Sequence, residues 1–187
     1  MAAMLTAIKL ISQERAFLQK KVLFCFQPGE EGKRGASKLL QQLPSLKEAV
    51  NRCYALHFHN GMYPGSVKID SGSVTALSNK FSITIQGRAA HCLAPNEGVD
   101  ANYIGCSLVS QLYALNGQTV PPLEGSSLVI YKVEGGTGAV MVSDAFRIEG
   151  SVRTFSLDAY EKLKERITNL SNAISLSFGA KAELNFN

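Results

Sequence analysis

The stretch KFSITIQG, residues 80–87, places Phe81, Ile83 and Ile85 on one side of an extended chain and Ser82, Thr84 and Gln86 on the other. Strict alternation at period two is the mark of a strand with one buried and one solvated face. Beyond it, VDANYIGCSLVSQLYAL (99–115) has apolar residues at helical spacing, and SSLVIYKVEGG (126–136) and AFRIEGSVRTF (145–155) read as strands. LDAYEKLKERITNLSNAISLSF (157–178) reads as a helix with Asp158 near its start, and KAELNFN (181–187) as a final strand. The order βαββαβ is ferredoxin-like and predicts a complete domain over residues 76–187.

Upstream the pattern differs. MAAMLTAIKLISQERAFL (1–18) sets Met4, Leu5, Ile8, Leu10 and Ile11 near one face of a predicted amphipathic helix. No Ser, Thr, Asp or Asn cap stands ahead of it, so an earlier segment is expected to be missing. KKVLFCFQPG (20–29) reads as a buried strand, GASKLLQQL (35–43) as a helix, and AVNRCYALHFHN (49–60) as a second apolar run ending in polar residues. Alternating helices and strands suggest a parallel α/β sheet, in which functional residues gather at the carboxyl ends of strands. Two strands are too few for a stable sheet, so residues 1–75 read as part of a larger domain.

Composition excludes several function classes. The chain has 187 residues, 45% hydrophobic and 18% charged, enough to bury a sizeable core. The net charge of +4 is scattered among acidic residues and no basic cluster alternates with aromatics, which argues against nucleic-acid binding. No apolar run approaches the ~20 residues of a membrane span, and the N-terminus lacks signal-peptide regions, so a cytoplasmic protein is the expectation. Cys25, Cys53, Cys92 and Cys106 fall in or beside apolar segments without a CxxC pair, and are expected to be free, buried thiols.

The residues able to carry chemistry stand at element ends. Glu30 and Glu31 adjoin in a Gly-containing turn after the first predicted strand. There one carboxylate can hold a metal ion while the other moves a proton, or both can be solvated. His57, at the end of the second run, would face the same sheet edge, either as a metal ligand or as a hydrogen-bonded core histidine. His91 reads from spacing alone as a loop histidine after a strand. Gly135 and Gly136 suit a tight turn with positive φ. Arg153 fits a substrate carboxylate or an acidic neighbour equally, and Asp100 reads as the cap of a helix starting near Ala101.

Taken in order, FQPGEEG (26–32), LHFH (56–59), FSITIQGRAAHCLAPNEGVDA (81–101) and GGTGAVMVSDAFRIEGSVRT (135–154) closely resemble the two-metal amidohydrolase branch of the aminoacylase and carboxypeptidase metallopeptidases. Hippurate hydrolases and plant auxin-conjugate hydrolases belong to that branch. The resemblance implies a partial parallel-sheet catalytic domain followed by a ferredoxin-like lid and dimerisation domain. It implies Glu30 as general base, Glu31 and His57 as ligands to different members of a pair of divalent ions, and Gly136 and Arg153 at the substrate. Zinc is the first candidate for those ions, with manganese and cobalt as alternatives. It also implies that His91 reaches a partner subunit's active site to stabilise the oxyanion. The substrate class would be N-acyl amino acids or related amide conjugates, and the assembly a homodimer through the lid.

Departures from the family pattern shape the rest of the expectation. The CGHDGH stretch that precedes MAAMLTAIKLI in relatives and a late histidine ligand have no counterpart, so each ion would draw one ligand from this chain. Metal binding by these residues alone should be weak or absent, and the chain by itself inactive. Val140 replaces a family Asn, Ser143 a Pro and Asn96 a His. The competing expectation is therefore a non-catalytic dimerisation module descended from such an enzyme.

Overall fold

The computed structural model describes residues 1–29, 35–138 and 140–187. The chain divides into two compact units, Met1–Ser66 and Val67–Asn187.

The second unit is built on β1 (Leu77–Gln86), whose alternating pattern becomes alternating burial: Phe81, Ile83 and Ile85 are inside, and their neighbours line the other face. A short β2 (Ala90–His91) follows, then α4 (Ala101–Thr119), β3 (Ser126–Gly135), a short β4 (Met141–Val142), β5 (Ala145–Thr154), α5 (Leu157–Ser177) and β6 (Lys181–Phe186). The first three helices belong to the other unit and are described below. The main sheet has the order β3-β5-β1-β6, with every pair antiparallel. This is the ferredoxin-like arrangement expected from the sequence, with β2 and β4 forming a separate small ribbon.

Both helices cover one face of the sheet. Ile104, Leu108 and Leu112 from α4 and Leu163 and Ile167 from α5 are buried against Phe81, Ile83, Ile85, Phe146, Ile148 and Val152. Helix starts are fixed by side chains. Asp100 accepts from the Asn102 and Tyr103 amides at 2.9 and 3.4 Å, and Ser156 Oγ from the Ala159 amide at 3.1 Å. Each cap satisfies backbone donors that lack partners within the helix. The open face of the sheet is polar: Lys132 bridges Glu134 at 2.8 Å, and Arg147 bridges Glu149 at 2.9 Å.

Glycines admit two buried rings. A Cβ on Gly105 of α4 would collide with Phe146, one on Gly135 with Phe146 and the Asn102 carboxamide, and one on Gly150 with Phe81. At the edge of the sheet, the register of β3 shifts between Ile130 and Lys132. There the Tyr113 hydroxyl accepts from the Ile130 amide at 3.3 Å and donates to the Ile130 carbonyl at 3.4 Å.

In the first unit, α1 spans Ala2–Gln13 and a 3-10 turn Arg15–Phe17, while α2 (Gly35–Gln42) and α3 (Leu46–Ala49) follow. Met1 gives α1 no side-chain cap, as the sequence implied. The two runs read as strands are not strands among the described residues. Val22, Leu23 and Phe26, and Tyr54, Leu56 and Phe58, are exposed and join no ladder. A buried strand needs neighbours to take its amides and carbonyls and a layer to cover its side chains, and the described residues supply neither to these runs. The cysteines also differ from expectation: all four are free but exposed. Cys25 and Cys53 lie in these ladder-less runs, Cys92 in a turn, and Cys106 on the outer side of α4. Among the described residues no helix is long and apolar enough to cross a membrane.

Gly105→Ala should destabilise the protein although alanine is the better helix former by about 1 kcal/mol. The Phe146 ring that occupies the space is itself buried, so overpacking, at about 1–3 kcal/mol, should win. Urea unfolding of the two proteins reads the difference.

Candidate functional site

Two of the nominated residues of the second unit, His91 and Gly136, lie at one end of the sheet. Beyond the Gln86–Ala145 pair that closes the β1–β5 ladder, the chain turns at Gly87, whose amide donates to the Asp144 carbonyl at 2.8 Å. It then pairs β2 with β4, setting Ala90 opposite Val142 and His91 opposite Met141. The Cys92 amide donates to the Val140 carbonyl at 3.1 Å, so the residue after His91 is tied to the turn that follows β3.

That turn is held by Gly136 and Ser143. Gly136 has φ of 93°, a conformation side-chain-bearing residues rarely adopt, which accounts for glycine at this position. Its amide donates to Ser143 Oγ at 3.2 Å, and the same hydroxyl donates to the Ala145 carbonyl at 2.9 Å. Ser143 is buried, and its carbonyl accepts from the Ala101 amide at 2.8 Å, joining the turn to the start of α4. The Val140 side chain points into solvent at 68% exposure, so its contribution to the ribbon is its carbonyl.

His91 is exposed on this ribbon. Its Nδ1 accepts from the Leu93 amide at 3.2 Å, with Cys92 Sγ at 4.0 Å. His91 and Gly136 are thus brought to one end of the fold. Arg153 is not: it lies on the open face eight residues along β5 from Ala145, opposite Ser78 and Ser127. At about 3.4 Å per residue that is ~27 Å along the strand, far longer than an N-acyl amino acid. Lys132 and Lys162 are raised above the ordinary lysine value, chiefly by hydrogen bonds to Glu134 and Asp158 respectively, and both are surface groups.

In the first unit, Glu30 and Glu31 lie outside the described residues. His57 is exposed, not at the end of a strand, and its Nδ1 donates to the Phe58 carbonyl at 2.6 Å. Among the described residues no three His, Cys, Asp or Glu side chains come together as a metal centre would require. Sequence reading noticed Ser143 only as a departure from a family proline. Its role as a double hydrogen-bonding post is visible only once the turn closes. The Leu93 amide leaves no signal in sequence, since every residue but proline carries one.

With this geometry in view, relatives define the class. Residues 78–177, more than half of the chain, match the peptidase dimerisation domain of the M20 group, and the chain belongs to that family. An N-acetyldiaminopimelate deacetylase of Geobacillus sp. (strain WCH70) is 31% identical over 169 residues, covering 90% of this chain and 45% of that protein. An N-acetyl-L-cysteine deacetylase of Bacillus subtilis (strain 168) is 29% identical over 183 residues, covering 98% and 44%. The crystal structure of a dinuclear metal binding peptidase of the M20 family from Bacillus subtilis superposes with a TM-score of 0.78 at 25% identity, covering 99% of this chain and 46% of that one. The chain spans less than half the length of the curated relatives it matches.

Ser143→Ala should remove the partner of the Gly136 amide and, because Gly136 is exposed to water, cost about 0.5–1.5 kcal/mol. Denaturant unfolding should register the loss, and hydrogen exchange should accelerate at Gly136.

Proposed function

We propose that this chain is the lid, with part of the catalytic domain, of an amidohydrolase acting on N-acyl amino acids or related amide conjugates. The observation that carries the reading is the exposed His91 imidazole, held on the β2–β4 ribbon beside the Gly136 turn. An imidazole so placed can donate to the oxygen that becomes negative when water attacks an amide carbonyl. A preorganised donor of this kind is typically worth ~10²–10³ in rate. Deacetylases of N-acetylated amino acids among the relatives support the substrate class. In this reading residues 1–75 belong to the catalytic domain and 76–187 form the lid, in a cytoplasmic enzyme. Glu30 takes the proton of the attacking water and passes it to the leaving amine.

The long separation of His91 from Arg153 along the sheet supports a site shared between chains. His91 of one chain would meet the oxyanion while Arg153 of the other binds the substrate carboxylate and Gly136 shapes the turn. The partner is a second copy of this chain, joined through the lid, where Val129, Tyr131 and Val133 of β3 are about half exposed. Static light scattering on the purified chain should give twice the monomer mass. A monomer at every concentration would remove the shared site.

Two divalent ions, zinc first and manganese or cobalt as alternatives, would be bound with Glu31 and His57 supplying one donor each. A catalytic zinc usually takes three protein donors, and the described residues hold no such group. The described residues do not fit a closed metal centre. The purified 187-residue chain should therefore hold little metal after dialysis and should not turn over N-acetyl or N-benzoyl amino acids. Two tightly bound ions with turnover would overturn this.

A second reading, a non-catalytic dimerisation module, is favoured by Val140, whose exposed side chain offers a substrate no hydrogen bond where relatives carry Asn. A longer protein containing this chain that dimerises but hydrolyses no N-acyl amino acid would establish it.

A further inference from the structure

The hydrogen bonds of the histidine rings divide them into two chemical types. A backbone amide can only donate and a carbonyl can only accept, so each contact to a ring nitrogen states whether that nitrogen carries the proton. His57 Nδ1 lies 2.6 Å from the Phe58 carbonyl and His59 Nδ1 2.7 Å from the Asn60 carbonyl, so in both rings Nδ1 is the donor. His91 is the reverse: its Nδ1 faces the Leu93 amide at 3.2 Å, and must accept. The Cys92 thiol, at 4.0 Å from the same nitrogen, offers a second, weaker donor at the outer limit of a sulfur hydrogen bond.

We infer that the backbone amide of Leu93 locks His91 as the neutral Nε2–H tautomer, making it a dedicated hydrogen-bond donor in which Leu93 is the positioning residue. The inference deepens, and rests on, the reading of His91 as the oxyanion donor. A neutral ring whose Nδ1 lone pair is already engaged keeps its proton on Nε2, the atom at the far edge of the ring. It can polarise a carbonyl and stabilise an oxyanion by hydrogen bonding without itself becoming charged. His57 has the complementary form, with Nδ1–H tied to a carbonyl and the Nε2 lone pair left for a cation, as metal-binding histidines usually are.

Ribbon geometry maintains the lock. Leu93 lies two residues beyond His91 in the turn that leaves β2. The Ala94 amide donates to the His91 carbonyl at 2.9 Å, folding that turn back on the histidine. Cys92 between them is anchored to the Val140 carbonyl. The Leu93 side chain is exposed at 87%, so its backbone rather than its side chain is what the site uses.

The test is long-range proton–nitrogen correlation NMR of the 187-residue chain, at a pH well above the ordinary imidazole value of about 6.5. His91→Gln assigns its ring by deleting one pattern of three. The expected result for His91 is a single tautomer, with a pyrrole-like Nε2 and a pyridine-like Nδ1, unchanged in Cys92→Ala because the Leu93 amide remains. A pyrrole-like Nδ1, or the averaged shifts of two exchanging tautomers that a free imidazole gives, would overturn it. So would a tautomer that changes in Cys92→Ala. Turnover does not enter the measurement. A failed hydrolase reading would therefore leave the tautomer standing, and a failed tautomer would leave the hydrolase reading to its own test.

Discussion

The Phe146 ring is the point on which the second unit and its candidate site both turn. It fills the space that a side chain would need at Gly105 in α4 and at Gly135 at the end of β3. A single buried ring thereby sets how closely the helix approaches the sheet and where the next turn begins. From Gly135 the connection is continuous: Gly136 hangs on Ser143, Ser143 ties to β5 and α4, Val140 accepts from Cys92, and Cys92 follows His91. The placement of a surface imidazole thus depends on packing inside the core, because close-packed interiors transmit displacement instead of absorbing it.

Much of this was legible in the sequence, and the reason is local. KFSITIQG alternates because one face must be apolar, Asp100 precedes a helix because amides there need an acceptor, and Gly136 is glycine because its φ is positive. Each is decided within a few residues. The runs 20–29 and 49–60 misled because apolarity states that a segment can be buried, while strand formation also needs partners. The cysteines misled in the same way, since proximity to apolar residues does not say which side of an element faces inward. The bulge at Ile130 depends on Tyr113, seventeen residues away, and the post made by Ser143 is local but hangs on how the turn closes, which residue types alone do not state. Of the candidate site, His91, Gly136 and Arg153 could be nominated from motifs. That Arg153 stands far along the strand from the other two required the register.

Substitutions at the turn illustrate how a backbone scaffold tolerates changed side chains. Val140 contributes to the ribbon through its carbonyl, which valine supplies as well as asparagine does. Ser143 is hydrogen-bonded on both sides of its hydroxyl, so the turn is fastened by polar contacts. Geometry around His91 can therefore persist while the side chains that would touch a substrate change. Retention of the ribbon and retention of substrate binding are separable properties.

Tyr113 has a consequence for how copies can combine. With its hydroxyl engaged by both the amide and the carbonyl of Ile130, those two groups are unavailable to an incoming strand. Among the described residues no strand pairs with the outer edge of β3 or β6, and stacking β6 of one molecule on β3 of the next would be a head-to-tail arrangement that grows into filaments. Interrupting one border midway works against that repeat, because the ladder an incoming strand would need is broken at Ile130.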